Sequence, residues 1–442
     1  MFVNRIVAFV FFSAFSFNIV QADAAFPLKV SEDGRRFVDS NNQPFFVTAD
    51  TGWSIFSGVS KDDVKYYLDD RQTKGFNTIL CSALHFWKDG RTPWQPQHQF
   101  YQWWAFDGDH YNLTQPNADY WRHVDWVINE AAKRNMFLMI APCWFRYQGD
   151  AWYLHLNEDN AKRFSGFLAE RYKGQNHIAW LLGGDLVPGK QLGNVKIMGQ
   201  TLKRIAPNHL ISYHANGLQH GSRQWFEGED WFDFSTIQTN RELHPQEYQD
   251  VISDYDKQPV MPTWNGEPRY EGMTGGTPFA MRQQAYRGAL NGGLGVAYGA
   301  GNLFNMGFTD TDWKNEILPL PGASDMQHIK AMFELLDWTK LTPHHKRPFL
   351  LDGQGAKDNY LPAASAFDGS WGVTYFPKQC TVKIDLTNFS GDLAASWFDP
   401  GDGSMRAVKD QPVTGQSAMK FETPGVNQSG DPDWVLILKS KK

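Results

Sequence analysis

The chain is poor in cysteine. Three occur in 442 residues: Cys81, Cys143 and Cys380. An odd count rules out a fully paired disulfide framework. Cys81 and Cys143 fall in successive expected strands, so a bridge is open to them. Buried free thiols acting as small apolar residues are the expectation. No Cys-x-x-Cys or His-Glu-x-x-His spacing occurs, so the sequence gives no support for a metal. Basic excess is also missing. Forty-two Lys and Arg against 48 Asp and Glu leave a net charge of -6. That excludes the clustered cations of a nucleic-acid footprint. Beyond the N-terminus no apolar run approaches the roughly 20 residues of a membrane span. A glycine-rich phosphate loop is absent as well. The nearest run, Gly292-Gly293-Leu294-Gly295, precedes an expected strand instead of following one, which argues against a nucleotide-binding doubly wound sheet.

What remains is a globular composition: 20% charged and 42% hydrophobic residues. Aromatics reach 15%, with 18 Trp. They serve a large core, a groove for sugar rings, or both, and composition does not separate these. The first residues carry Arg5, an apolar stretch from Ile6 to Val20, and Ala22-Asp23-Ala24. This reads as a secretory signal peptide over residues 1–24, removed on export, for a secreted or periplasmic protein.

After a small hairpin over Leu28 to Gln43, strands and helices alternate. Strands are expected at Pro44 to Ala49, Phe76 to Leu84, Met136 to Trp144, Ile178 to Leu182, Leu210 to His214, Phe234 to Gln238, Val260 to Trp264 and Leu294 to Tyr298. Helices are expected between them, from Ser60 to Lys74 onward. Ser60 with Asp63 three residues on reads as an N-cap. The strands are short continuous apolar runs, as parallel strands covered on both faces should be. Eight such units over roughly 300 residues predict a (β/α)8 TIM barrel spanning residues 25–344. Past Pro343-His344-His345-Lys346 the pattern changes to short alternating strands separated by turns. Residues 345–442 are therefore expected to form a C-terminal antiparallel β-sandwich domain. The junction has no Gly/Ser run, so it lacks the composition of a flexible tether.

The active site of such a barrel lies at the carboxyl ends of its strands. Read in turn, those ends offer Asp50 and Trp53, His85 and Trp87, Trp144 and Arg146, Asp185, His214 and Asn216, Gln238, then Glu267, Arg269 and Glu271, and Tyr298. Aromatic faces suit the C–H surfaces of sugars, and amides and charges suit their hydroxyls. Two carboxylates on separate strands are what glycosidic hydrolysis requires. Each also has a structural reading: Asp185 as a helix cap, Glu267 as an ion-pair partner of Arg269 or Arg146.

Four stretches resemble the apiosidase-like catalytic domain (glycoside hydrolase family 140 type). They are Phe46-Val-Thr-Ala-Asp-Thr-Gly-Trp53, Ile178-Ala-Trp-Leu-Leu-Gly-Gly-Asp185, Gly266-Glu-Pro-Arg-Tyr-Glu-Gly272 and Ala297-Tyr-Gly-Ala300. Ala395-Ser-Trp-Phe-Asp-Pro400 and Asp433-Trp-Val-Leu-Ile-Leu438 resemble the small β-domain that follows it, once labelled collagen-binding. The resemblance implies a secreted hydrolase acting on apiose-containing pectin side chains. It also implies Asp185 as acid/base and a strand-seven Glu as nucleophile. Glu267 is the assigned nucleophile, with Glu271 its competitor. Trp53, Trp87, Trp144 and Tyr298 are assigned to the sugar platform. The wider clan carries Asn-Glu where this chain has Gly184-Asp185, so the acid is one methylene shorter. The expectation is retention, with a polysaccharide or oligosaccharide substrate, no cofactor, no metal, no nucleic acid and a monomeric chain. The rivals are a non-catalytic matrix-binding protein and a hydrolase of another glycan.

Overall fold

The computed structural model describes residues 23–84, 113, 115–146, 151–214, 221–239, 247–273, 275–306, 310–408 and 417–441. The segment read as a signal peptide lies almost wholly outside them. Strands β1 (Lys29–Val30), β2 (Phe37–Val38) and β3 (Pro44–Phe45) form a small antiparallel sheet. Eight parallel strands follow: β4 (Val47–Thr51), β5 (Thr78–Ser82), β6 (Phe137–Ala141), β7 (Ile178–Gly183), β8 (Ile211–His214), β9 (Ser235–Gln238), β10 (Thr263–Glu267) and β11 (Gly295–Tyr298). Six pair in the order β11-β4-β5-β6-β7-β8, and β9 pairs with β10. The two seams are closed by main-chain bonds. Asp233 N–H donates to Ile211 O at 2.9 Å, and Leu294 N–H to Thr263 O at 2.9 Å. The ring is a (β/α)8 barrel with helices outside.

Residues along each strand alternate between two apolar layers. Phe137, Met139 and Ala141 of β6 fill the barrel interior with Ala179, Leu181 and Trp264. Leu138 and Ile140 face the helices instead. Both faces are buried, which accounts for the unbroken apolar runs. Leu28, Phe37 and Phe45 of the N-terminal sheet close the lower end of the interior, with Phe37 edge-on to Phe234 at 5.1 Å.

The main outer helices are α1 (Lys61–Thr73), α2 (Ala118–Ala132), α4 (Glu158–Tyr172), α5 (Leu192–Ile205), α7 (Glu247–Asp256), α8 (Pro278–Leu290) and α9 (Pro321–Leu335); α3 (Ala151–His155) and α6 (Arg223–Phe226) are single turns that the sequence did not suggest. The expected cap of α1 is present: Ser60 accepts from Asp63 N–H, and the Asp63 carboxylate accepts from Ser60 N–H. The seventh barrel strand differs. It runs Thr263–Glu267, not Val260 to Trp264. Pro259 and Pro262 have no N–H to give a ladder, so pairing starts only after Pro262. The first expected strand splits at Phe46, whose ring stacks on Phe333 at 4.9 Å.

The tail sheet has the order β12-β13-β14-β19-β16-β17. Its strands are β12 (Leu341–Pro343), β13 (Ala363–Ala366), β14 (Trp371–Phe376), β16 (Leu393–Phe398), β17 (Met405–Ala407) and β19 (Trp434–Ser440). A second pair, β15 (Thr381–Asp385) with β18 (Ala418–Glu422), packs beside it. Both faces of the large sheet are apolar. Phe376, Trp397, Leu436 and Leu438 face the tail's own core. Trp371, Val373, Tyr375, Val435 and Ile437 join the barrel's outer layer. Tyr375 stacks on Tyr286 of α8 at 4.5 Å, and Tyr360 on Tyr248 of α7 at 3.7 Å. Arg282 of α8, 1% exposed, donates to Asp433 at 2.8 and 2.9 Å, to Asp431 at 2.6 Å and to Asp325 of α9 at 2.7 Å. All three cysteines are free thiols. Among the described residues no helix is long and apolar enough to cross a membrane.

Two expectations follow. A fragment ending at residue 344 exposes the apolar outer layer that Trp371, Val373 and Tyr375 cover. It is expected to aggregate on expression, and a monodisperse fragment in size-exclusion chromatography would contradict this. The second concerns Asp325. Burial pushes its carboxyl up to about 7, against the pull of Arg282, whose single charge is shared with two other carboxylates. An acid with a raised folded pKa takes up its proton in the folded state first. Stability from this group is thus lost as pH rises from about 4 to about 7. Asp325→Asn removes that slope. Relative to the parent, its melting temperature should improve between pH 5 and pH 8, as differential scanning fluorimetry would record.

Candidate active site

The first carboxylate comes from the end of β7. Gly183, Gly184 and Asp185 have φ of 86°, 124° and 53°, three left-handed residues in succession. Glycine takes such conformations without a Cβ penalty, and Asp tolerates the last of them. The path is also too tight for side chains. A Cβ on Gly183 would sit 2.4 Å from the Tyr213 ring, and one on Gly184 2.5 Å from the Trp144 ring. The two glycines thread the backbone between these rings, and Asp185 emerges 8% exposed inside the mouth.

The second carboxylate depends on a β-bulge in β10. Asn265 pairs with Ile237, but Glu267 pairs with Gln238, so Gly266 is the extra residue. Trp264 points into the barrel. Without the bulge, strict alternation would send Glu267 outward, because a one-residue shift reverses every later side chain. With it, Glu267 faces inward beside Gln238 and His214.

These groups meet. His214 Nε2 lies 2.7 Å from Glu267 Oε2. Gln238 Nε2 donates to Asp185 Oδ1 at 2.5 Å and to Glu267 Oε2 at 2.8 Å. The Tyr270 hydroxyl donates to Glu267 Oε1 at 2.6 Å, and Trp53 Nε1–H donates to the Tyr270 oxygen at 2.9 Å. Trp144 packs on Trp53 and on His214, with ring centroids 4.4 and 4.7 Å apart. A ligand atom of each of Asp185, His214 and Glu267 lies within 4.8 Å of the others. Burial pushes the Glu267 carboxyl up. The charge and hydrogen bond of His214, with the bonds from Tyr270 and Gln238, outweigh it and hold the carboxyl below its ordinary range. Tyr270 is raised well above a normal phenol by burial and by Glu267, so it remains a donor.

Among the described residues, Asp185, His214 and Glu267 are the one group whose spacing could hold a metal ion. The chemistry does not favour that use. The Gln238 –NH2, a donor and not a ligand, sits between the two carboxylate oxygens. A cation there would face its hydrogens. The trio fits a hydrogen-bonded carboxyl pair.

Of the residues expected at the site, Trp53, Trp144, Asp185, His214, Gln238 and Glu267 converge. Asp50, Tyr298 and Glu271 face away from them. Asp50 and Tyr298 are paired neighbours on β4 and β11, and both lie on the outward phase of their strands. Asp50 accepts from Tyr67 at 2.5 Å and pairs with the fully buried Arg71 at 3.1 Å. The Tyr298 hydroxyl donates to Glu271 Oε2 at 2.5 Å. Glu271 also accepts from Gly322 N–H at the start of α9, where a helix N-terminus favours an anion. It braces the barrel wall and is absent from the carboxylate pair. Tyr298 therefore faces the helix layer, away from the carboxylate pair. Arg269 reaches Gly275 O in its own loop, and Arg146 lies exposed past the end of β6. His85, Trp87 and Asn216 lie outside the described residues. Tyr270 was not among the expected site residues. Its signal was its place three residues after Glu267.

A family model described as "Apiosidase-like, catalytic domain" matches residues 31–340. The chain belongs to the apiosidase-like family. It is a glycoside hydrolase, and the resemblance carried by the strand-end motifs holds. A second model, "Putative collagen-binding domain of a collagenase", matches residues 346–439. No curated protein matches the chain. Among solved structures, one titled "Glycoside hydrolase" has a TM-score of 0.82 at 24% identity, covering 95% of this chain and 99% of that one. A glycoside hydrolase family 5 protein from Bacteroides vulgatus has a TM-score of 0.81 at 23% identity, covering 94% of each chain. A family 5 mannosidase from Rhizomucor miehei reaches 0.51 at 13% identity over 70% of this chain and 99% of its own. These likenesses are of fold.

The apiosidase-like site makes a packing prediction. Gly184→Ala places a methyl into the Trp144 ring at a φ that L-residues avoid, at a cost of about 1–3 kcal/mol or more. The melting temperature should fall, and the near-UV circular dichroism of the Trp53–Trp144 pair should weaken. An unchanged near-UV spectrum would show that the ring does not depend on the glycine.

Proposed function

We propose that this apiosidase-like protein is a secreted, retaining hydrolase of apiose-containing pectic side chains. Asp185 is its acid/base and Glu267 its nucleophile. The observation that carries the reading is the buried carboxyl pair, in which an oxygen of Asp185 lies within 4.8 Å of an oxygen of Glu267. Retaining enzymes hold their carboxyls roughly 5 to 5.5 Å apart, and inverting ones about 6.5 to 9.5 Å. The short spacing leaves no room for a water between Glu267 and the sugar, and this supports retention.

In the first step Glu267 attacks the anomeric carbon, and the bond to the leaving oxygen breaks. Asp185 gives its proton to that oxygen. In the second step Asp185 takes a proton from water, the hydroxide attacks the same carbon, and Glu267 leaves. A carboxyl held below its ordinary range suits the nucleophile, which must be ionised. The Tyr270 bond fixes which way its oxygens point. The family description supports apiose as the sugar released, and the N-terminal signal pattern supports export. The packed tail speaks against a separate matrix-binding module. One face of its sheet is already taken by the barrel.

The test is turnover on an apiose-bearing pectic oligosaccharide, with the first anomer formed read by proton NMR. The parent should release sugar with retained configuration. Asp185→Asn and Glu267→Gln should each keep the fold and lose roughly three or more orders of magnitude in kcat. Near-normal turnover by either variant would remove that residue from the mechanism. Binding of the polymer without any release would favour the non-catalytic reading, and the opposite anomer would exclude retention.

A further inference from the structure

Gln238 stands in an unusual place for a neutral side chain. It is 2% exposed and lies at the end of β9, level with Glu267 across the bulge. One nitrogen serves both carboxylates, at 2.5 and 2.8 Å. A primary amide has two hydrogens, one for each anion. The other end of the group is left worse off. Among the described residues, Gln238 Oε1 is buried with no hydrogen-bond partner. Leaving a buried acceptor unbonded carries a desolvation penalty. A glutamine kept only to fill space would have no reason to turn this way. The reversed amide would set its oxygen against two carboxylates.

We propose that Gln238 is a positioning residue that spans Asp185 and Glu267 with a single amide nitrogen, sets their separation and stands in for the proton they would otherwise share. Two carboxyls this close, with no donor between them, hold one proton in common, and one of the two titrates far above its usual range. A shared proton is useless to a glycosidase, which needs an acid and an ionised nucleophile at the same time. The amide gives each carboxylate its own hydrogen. Glu267 remains ionised. Asp185, with Oδ1 accepting from the amide, delivers its proton from Oδ2. Among the described residues, the other titratable groups on the pair are His214, from β8, and Tyr270, from the loop after β10. Each reaches Glu267, and Gln238 is the group that spans both carboxylates. This role rests on the glycosidase reading of the pair, but the physical claim can be tested without turnover.

The test compares the full-length chain with Gln238→Met, Glu267→Gln and the double variant, by melting temperature from pH 4 to pH 8. Methionine keeps the volume and removes the donor. In Gln238→Met the unbridged pair must keep a shared proton, which is freely held at pH 4 and increasingly costly to hold as the pH rises, so it should lose several degrees more at pH 8 than at pH 4. In the double variant one charge is gone, and the pH dependence of that loss should disappear. A loss of equal size at all pH values would show a packing role only and overturn the proposal. So would a pH-dependent loss that persists in the double variant. On the pectic oligosaccharide, Gln238→Met should lower kcat by about tenfold or more and move its acidic limb, with KM within about threefold. An unmoved pH profile would again overturn it. If Asp185→Asn and Glu267→Gln stay active, their assignment as the catalytic pair fails, while the melting data still decide whether Gln238 bridges the pair.

Discussion

Two buried carboxylates within hydrogen-bond reach of one amide are the constraint around which this barrel is arranged. Burial favours the neutral form of a carboxyl, and a second carboxyl nearby favours it further. Keeping Glu267 ionised therefore takes donors on every side. His214 comes from β8, Gln238 from β9 and Tyr270 from the loop after β10. Each donor is itself held. Trp53 bonds the Tyr270 oxygen, and Trp144 packs on both Trp53 and His214. The aromatic side chains near the pair thus have a structural duty before any contact with sugar: they fix the donors.

A second set of buried charges lies behind the wall and has a different use. Asp50, Arg71, Tyr67, Tyr298 and Glu271 join β4 and β11 to α1 and to the start of α9. The network ends on the loop that carries Tyr270. Gly299 passes so close to the Tyr270 ring that a Cβ there would lie 2.3 Å from it. The position of a phenol at the nucleophile therefore depends on packing in the outer layer. On the far side of α8, Arg282 ties the same layer to the tail through Asp433 and Asp431. The tail sheet covers α8 with Tyr375 and Val373, so barrel and tail share one apolar layer.

Much of this could be read along the chain. Apolar runs between glycine and proline marked the barrel strands, because strands covered on both faces need no alternation. Ser60 and Asp63 marked the start of α1, because both groups satisfy N–H bonds that the helix leaves open. The weak points were local. Ala363–Ala366 carries too little apolar volume to look like a strand, yet it is fully buried between β12 and β14. Pro262 delayed β10 by three residues relative to the apolar run that announced it.

The order of the elements, the two glycines before Asp185 and the carboxylates at two strand ends are all legible along the chain. Which of those carboxylates meet was decided only in three dimensions. Glu267 and Glu271 stand four residues apart in one motif, yet one faces the barrel mouth and the other the helix layer. Asp50 and Tyr298 sit at strand ends as Gln238 does, and point the opposite way. A strand has period two, so inward and outward differ by a single residue. That residue is counted from the pairing with the neighbouring strand. Here the Gly266 bulge shifts the count, and the bulge exists only because β9 lies alongside.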